Sequence, residues 1–203
     1  MSTDRPTARG DRVQRRIDVV TAAASILEES GWAGLNMREV ARRAGVSAGA
    51  LYQWFAGKDE IYAELYTTRL NEGTAALETL PADLSLEDLM ASMFRWVRRT
   101  WTDLGRWQVE FSEISRTRDT SDALVALADA HKRLMQSGLR RLADRAVGSG
   151  RTLRTDEAAA HLIWATATGV AQRAAVLDLD DGQYDALAEL AAASIIAGLT
   201  ESA

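Results

Sequence analysis

The chain has 203 residues, 47% of them hydrophobic and 26% charged, with a net charge of −5 and no cysteine. That length and apolar content suffice for one large or two small domains with a real core. The missing cysteines exclude disulfides, thiolate metal sites and cysteine nucleophiles. No apolar run is long enough to span a bilayer, so the expected compartment is the cytoplasm and no membrane partner is expected.

The charge is divided unevenly. Residues 1–60 carry nine Lys+Arg against eight Asp+Glu, leaving fifteen against twenty-one in the remainder. Residues 1–10 read as a flexible basic arm with one of the two prolines and a glycine, and Arg5, Arg9, Arg12, Arg15 and Arg16 crowd the entry to the first helix. That helix is predicted from Asp11 to Gly31, with Val13, Ile17, Val20, Ala24 and Leu27 at helical spacing as its core stripe. Asn36 and Glu39 have the spacing of a capping box and open a second helix at Met37, which places Arg38, Arg42 and Arg43 largely outward and Val40 and Ala41 inward. Gly45 ends it. Ser47 is then the N-cap of a short helix over 48–54 whose front end is small (Ala48, Gly49, Ala50), whose inward pair is Leu51 and Phe55, and whose Tyr52, Gln53 and Trp54 point elsewhere. Two short helices so joined have the arrangement of a helix-turn-helix whose second helix lies in the DNA major groove.

A long helix follows from Lys58 to Leu80, stopped by Pro81, with Ile61 and Leu65 serving the head and Leu70, Leu77 and Leu80 the rest. Ser85 with Asp88 reads as a second capping box, opening an amphipathic helix through Leu104. A shorter helical segment lies around 107–115, a charged loop RTRDTSD follows, and further helices are predicted over 122–147, from a Thr155 cap to 177, and over 184–199. No strand is predicted. The fold class is all-α, with about nine helices. The expected division is 1–10, 11–57 for a three-helix head, and 58–203 for a second helical domain.

The stretch AGVSAGALYQWFAGKDEIYAEL resembles the DNA-binding signature of the TetR family of bacterial transcriptional regulators, AGVS-x-G-x-LY-x-x-F-x-x-K, over roughly residues 11 to 65. Asn36 stands where the family often has Thr, and Trp54 where it has His or Tyr. The resemblance implies that Arg38, Ala48, Ala50 and Gln53 reach base edges, and that Asn36, Ser47, Gly49, Tyr52, Trp54 and Lys58 lie at phosphates. It also implies double-stranded operator DNA as a partner, a small apolar or aromatic effector bound in the second domain, and assembly as a homodimer. A ligand-released repressor is the expected function.

Chemistry agrees with that sorting, because Gln can bond adenine bidentately, Arg can bond guanine, and hydroxyl, indole and ammonium donors suit phosphate oxygens. In the second domain Met90, Met93, Phe94, Trp96, Trp101, Trp107, Phe111, His131, Met135 and Trp164 are the candidate cavity residues. Core packing accounts for many such side chains, yet four tryptophans with adaptable methionines exceed what packing alone requires. Arg95, Arg98, Arg99, Arg106, Arg116 and Arg118 read first as a solvated charge run or one paired with Asp103, Glu110 and Glu113, with an anionic group on the ligand as the second reading. Small residues in the last two helices, namely Ala158, Ala165, Gly169, Ala188, Ala191 and Ile195, are the expected dimer interface, since small faces let helices approach closely. No metal site or cofactor is expected, with two histidines and no HxxxH spacing. Two rival readings are an effector-independent architectural DNA binder and an all-helical enzyme. The second lacks any phosphate-cradling glycine loop, Ser-His-Asp constellation or paired carboxylates.

Overall fold

The computed structural model describes residues 8–104 and 121–202. Contacts divide them into two compact units, one of residues 8–68 with 121–127 and the other of 69–104 with 128–202. The fold is all-α, with eight helices among the described residues. The helix expected around 107–115, with Trp107 and Phe111, lies outside them, as do residues 1–7 of the expected arm.

In the first unit, α1 (Ala8–Gly34) starts three residues before the expected Asp11 and bends at Gly31, where φ of 66° needs a residue without a Cβ. Its buried stripe is Val19, Ala22, Ala23, Ile26 and Leu27. Val13 and Ile17, expected in that stripe, are 57% and 52% exposed. Of the expected stripe only Leu27 is buried and Val20 and Ala24 are half-buried, so the spacing rule selected a face rotated from the one that packs. α2 (Met37–Arg43) and α3 (Ala48–Trp54) follow the reading closely: Val40, Ala41, Leu51 and Phe55 are buried, and Gly45 takes φ 65° at the turn.

α4 (Lys58–Thr79) carries residues of both units, and the division expected at residue 58 falls at its start. In the second unit, Ser85 caps α5 (Leu86–Asp103) by accepting from the Asp88 N–H at 3.0 Å. α6 (Asp122–Gly148) ends in a turn at Gly150. Asp156, one residue after the expected Thr155, caps α7 (Glu157–Val176). α8 (Asp181–Leu199) starts three residues before the expected Tyr184, because Asp180 and Gln183 form a full capping box. The absence of strands is corrected too: β1 (Arg151–Leu153) pairs antiparallel with β2 (Thr200–Ser202), Leu153 opposite Thr200. Three-residue strands are too short to leave a periodic signal. α5, α7 and α8 pack on one another, and Tyr184, fully buried on α8, donates its hydroxyl to the Phe94 carbonyl at 2.7 Å.

Candidate functional site

α3 is positioned by its two ends. The Ser47 Oγ accepts from the Ala50 N–H at 3.1 Å, and the backbone N–H of Phe55 closes the last turn on Leu51 at 3.0 Å. With Leu51 and Phe55 buried, helical geometry turns Ala48, Gly49, Tyr52 and Gln53 outward, and all four are exposed. Trp54 and Ala50 are half-buried. Nothing lies within 4 Å of where a Gly49 side chain would begin, so the front of the helix is open to a bulky surface. Because the Ser47 hydroxyl only accepts in the cap, its proton stays available to an outside acceptor.

On α2 three arginines divide their roles. Arg42 forks onto Glu39 at 2.8 and 2.6 Å, and Arg43 bridges Glu39 at 2.8 Å and Glu29 of α1 at 2.6 Å. Arg42 first, then Arg43, hold the Glu39 carboxyl at about 2. Arg38 is exposed and makes no ion pair among the described residues. One expectation changes here. Asn36 does accept from the Glu39 N–H at 3.0 Å, but the Glu39 carboxylate is committed to arginines and does not return to the cap.

Lys58, expected at a phosphate, also has a contact inside the head. Its Nζ donates to the Trp32 carbonyl at 2.9 Å and sits 4.5 Å from the Trp32 ring centre. Burial pushes its pKa below the ordinary lysine value, with Asp59 opposing. Arg16 similarly lies over Phe55 and pairs with Glu64, tying α1 to α4.

In the second unit a cavity of about 240 Å³ opens among α4, α5, α6 and α7. Of the expected residues, Met93, Phe94, Trp96, Met135 and Trp164 line it. Met90 is fully buried, Trp101 does not reach the cavity, and His131, not among the lining residues, lies against Trp164 with ring centres 4.4 Å apart and planes tilted by 58°. His131 is held below the ordinary imidazole pKa, by desolvation first and His161 second. Two glycines shape the walls. A Cβ on Gly73 would stand 2.3 Å from the Trp96 ring, and one on Gly138 would stand 2.6 Å from the Met93 methyl. Only a neighbour not yet placed, the indole or the thioether, gives these glycines their purpose.

The small residues of the last two helices split between inside and outside. Ala158, Ala165 and Gly169 are exposed and Ala191 half-buried, but Ala188 and Ile195 are turned into the subunit's own core at 1% and 6% exposure. They are therefore not on a free face. The exposed stripes are Leu162, Ala165, Gly169 and Val176 on α7 and Ala186, Leu190, Ala193 and Ala197 on α8, at helical spacing. No described helix is long and apolar enough to cross a membrane.

Residues 19–65 match the sequence model of the family described as bacterial regulatory proteins, tetR family. The HTH-type transcriptional regulator EthR of Mycobacterium tuberculosis is 30% identical over 88 residues, covering 42% of this chain and 41% of that regulator. The chain thus matches about two-fifths of the length of that curated relative. In fold, a transcriptional regulator from Rhodococcus sp. Rha1 aligns with a TM-score of 0.68 at 21% identity, over 91% of this chain and 97% of the other. The regulator FadR from Bacillus subtilis, solved in complex with stearoyl-CoA, aligns at 0.63 and 16%, over 90% and 98%. A capped helix-turn-helix with an open reading helix and the family match to that head agree: residues 19–65 are a helix-turn-helix head of the tetR family, carried on a fold shared with solved regulators along nearly the whole chain.

Proposed function

We propose that the protein is a homodimeric, ligand-released transcriptional repressor that reads double-stranded operator DNA with α3. The observation that carries the reading is the outward face of α3, with Ala48, Gly49, Tyr52 and Gln53 exposed beside the unpaired Arg38. An α-helix with its side chains is about 10–12 Å across and fits a major groove about 12 Å wide. Gln53 and Arg38 supply base-edge chemistry, with the Ala48 and Ala50 methyls as thymine contacts. Tyr52, the Ser47 hydroxyl, Asn36, the Gly49 backbone and the Trp54 indole supply phosphate contacts. Lys58 braces Trp32 with one of its three ammonium donors, leaving the others for a phosphate.

The exposed stripes of α7 and α8 are the proposed dimer face, since contiguous apolar helix surface of this kind is normally covered. Two heads would then sit in successive major grooves of a partly palindromic site. The cavity is the proposed effector site. Gly73, Ala76 and Leu77 of α4 form part of its wall, and the first turns of the same helix belong to the head unit. A ligand that prefers one setting of α4 shifts the equilibrium between DNA-binding and released states.

The test is a panel of single-base variants of the DNA upstream of the protein's own gene, titrated by fluorescence anisotropy. Gln53→Ala should lose about 1 to 3 kcal/mol at one base pair, while Tyr52→Phe weakens all sequences alike. A uniform loss for Gln53→Ala removes Gln53 from the base-reading set, and equal affinity of the wild type for every sequence overturns the regulator reading.

A further inference from the structure

We infer that the cavity of the second unit takes a small hydrophobic carboxylic acid, with Arg95 and Arg99 as its carboxylate clamp. This rests on the reading of that cavity as an effector site and adds the chemical class of the effector.

α5 presents three arginines within two turns, and their surroundings differ. Arg98 is fully engaged: it pairs with Asp181 at 2.9 Å, donates to the Leu179 carbonyl at 3.0 Å and lies 4.4 Å from the Tyr184 ring centre. Arg95 and Arg99 both line the cavity. Arg95 makes one side-chain hydrogen bond, to the Ser92 Oγ at 3.2 Å, and Ser92 is itself a lining residue. Arg99 makes none, and neither arginine has a carboxylate partner among the described residues. Among the described residues no acidic side chain lines the cavity either. Two guanidiniums thus stand beside an apolar space with no counter-charge among the described residues.

Arginine's planar fork is suited to a carboxylate, and such charge-assisted bonds are about twice as strong as neutral ones. A cationic ligand would bring like charges together in a weakly screened site. A neutral apolar ligand would leave the guanidiniums as they are and gain nothing from them. Arg95 is half-buried and Arg99 exposed, which puts the acid group at the mouth and the hydrocarbon inward between Trp96 and Trp164. Size limits the body: about 240 Å³ is below the roughly 300–1,000 Å³ of sites for drug-sized ligands.

The experiment titrates the full chain with octanoate, octanamide and octyltrimethylammonium, three probes with a common apolar tail, by calorimetry and by tryptophan emission. Octanoate should bind about tenfold tighter than the amide, a difference the size of one charge-assisted hydrogen bond, and the ammonium weakest. In the Arg95→Gln/Arg99→Gln double variant the preference should fall to about twofold or less with amide affinity unchanged. Arg95→Lys, which keeps the charge, should retain most of it and serves if the double variant does not fold. The inference is overturned if the amide or ammonium binds as well as octanoate, if the preference survives in the double variant, or if none of the three binds. Operator affinity is measured in parallel. Arginine-dependent octanoate binding that leaves DNA affinity unchanged supports the acid site and sinks ligand release, whereas intact operator binding with no octanoate binding sinks the acid site and leaves the DNA reading standing.

Discussion

In α3 every position of functional interest is set within nine residues: Ser47 caps, Leu51 and Phe55 bury, and the remaining side chains are turned outward by helix geometry alone. In α5 the fate of each side chain depends on partners far along the chain. Arg98 is claimed by Leu179 and Asp181, Phe94 accepts from Tyr184, and Trp96 fits only because Gly73 on another helix has no side chain. One region is specified by local rules and the other by packing between elements distant in sequence. Substitutions should therefore act locally and modestly in the reading head, and strongly, according to the face they fall on, around the cavity.

The largest contrast is expected on α8, where two neighbouring apolar positions face opposite ways. Ala188→Glu puts a carboxylate where the native side chain is 1% exposed, and an unpaired buried charge costs several kcal/mol. The chain should fail to fold or melt far below the wild type. Leu190→Glu falls on a side chain 67% exposed, and a surface change of this kind normally alters subunit stability by no more than about 0.5 kcal/mol. It should give a folded monomer if the α7 and α8 stripes are the dimer face. Circular dichroism and sedimentation read both outcomes, and a Leu190→Glu protein that stays dimeric would remove that face from the interface.

A smaller effect separates the glycines. Gly49→Ala meets open space and gains up to about 1 kcal/mol from helix propensity, yet the added methyl lies on the surface proposed to meet DNA. It should raise the melting temperature of the free protein and weaken operator binding. Gly73→Ala gains the same propensity, but its Cβ overlaps the Trp96 indole, and overpacking typically costs about 1 to 3 kcal/mol. The net effect should be a lower melting temperature with an altered emission from Trp96. Equal melting shifts in the two variants would mean that Trp96 yields freely and that Gly73 does not shape the cavity.

How much of this was legible in the sequence follows the same division. Asn36, Ser47, Gly45, Leu51 and Phe55 act within one turn of themselves, and their assignments could be made from spacing and capping chemistry. Val13 and Ile17 looked like core because the 3.6-residue period carries no information about where the neighbouring helices end. Ala188 and Ile195 looked like interface because α8 is apolar on more than one face, and composition does not say which face meets the subunit's own core. Lys58 had the family's spacing for phosphate, but its bond to the Trp32 carbonyl depends on how Gly31 bends α1. The cavity was visible as an excess of Trp and Met, whereas its shape, set by Gly73 and Gly138, was not. A glycine inside a helix announces space without naming what fills it.

The smallest expected effect concerns the carboxylate that keeps two of the three α2 arginines occupied. The Glu39 pKa is lowered from the ordinary 4.5 to about 2 by its bonds to Arg42 and then Arg43. Glu29 is lowered as well, by Arg43 and then Ser25. A depressed carboxyl stabilises the folded head above its unfolded pKa, and that contribution is lost as pH falls from about 4.5 toward 2. Because the cluster is solvent-exposed, the effect should be modest and should shrink with salt. Amide exchange in α2, followed from pH 6 to pH 3, should show protection falling in the wild type and falling less in Glu39→Gln, where only the Glu29–Arg43 pair still titrates. The same variant has a second consequence at neutral pH. With Glu39 uncharged, Arg42 has no carboxylate on its own helix and is free to meet a phosphate beside Arg38. Affinity for any duplex should then rise, and each new phosphate contact should steepen the salt dependence by about 0.9 in the logarithmic slope. Base preference should not change, since Gln53 is untouched. An unchanged slope would show that Arg42 cannot reach the backbone, and would leave Glu39 as a brace between α1 and α2 with no part in limiting non-specific binding.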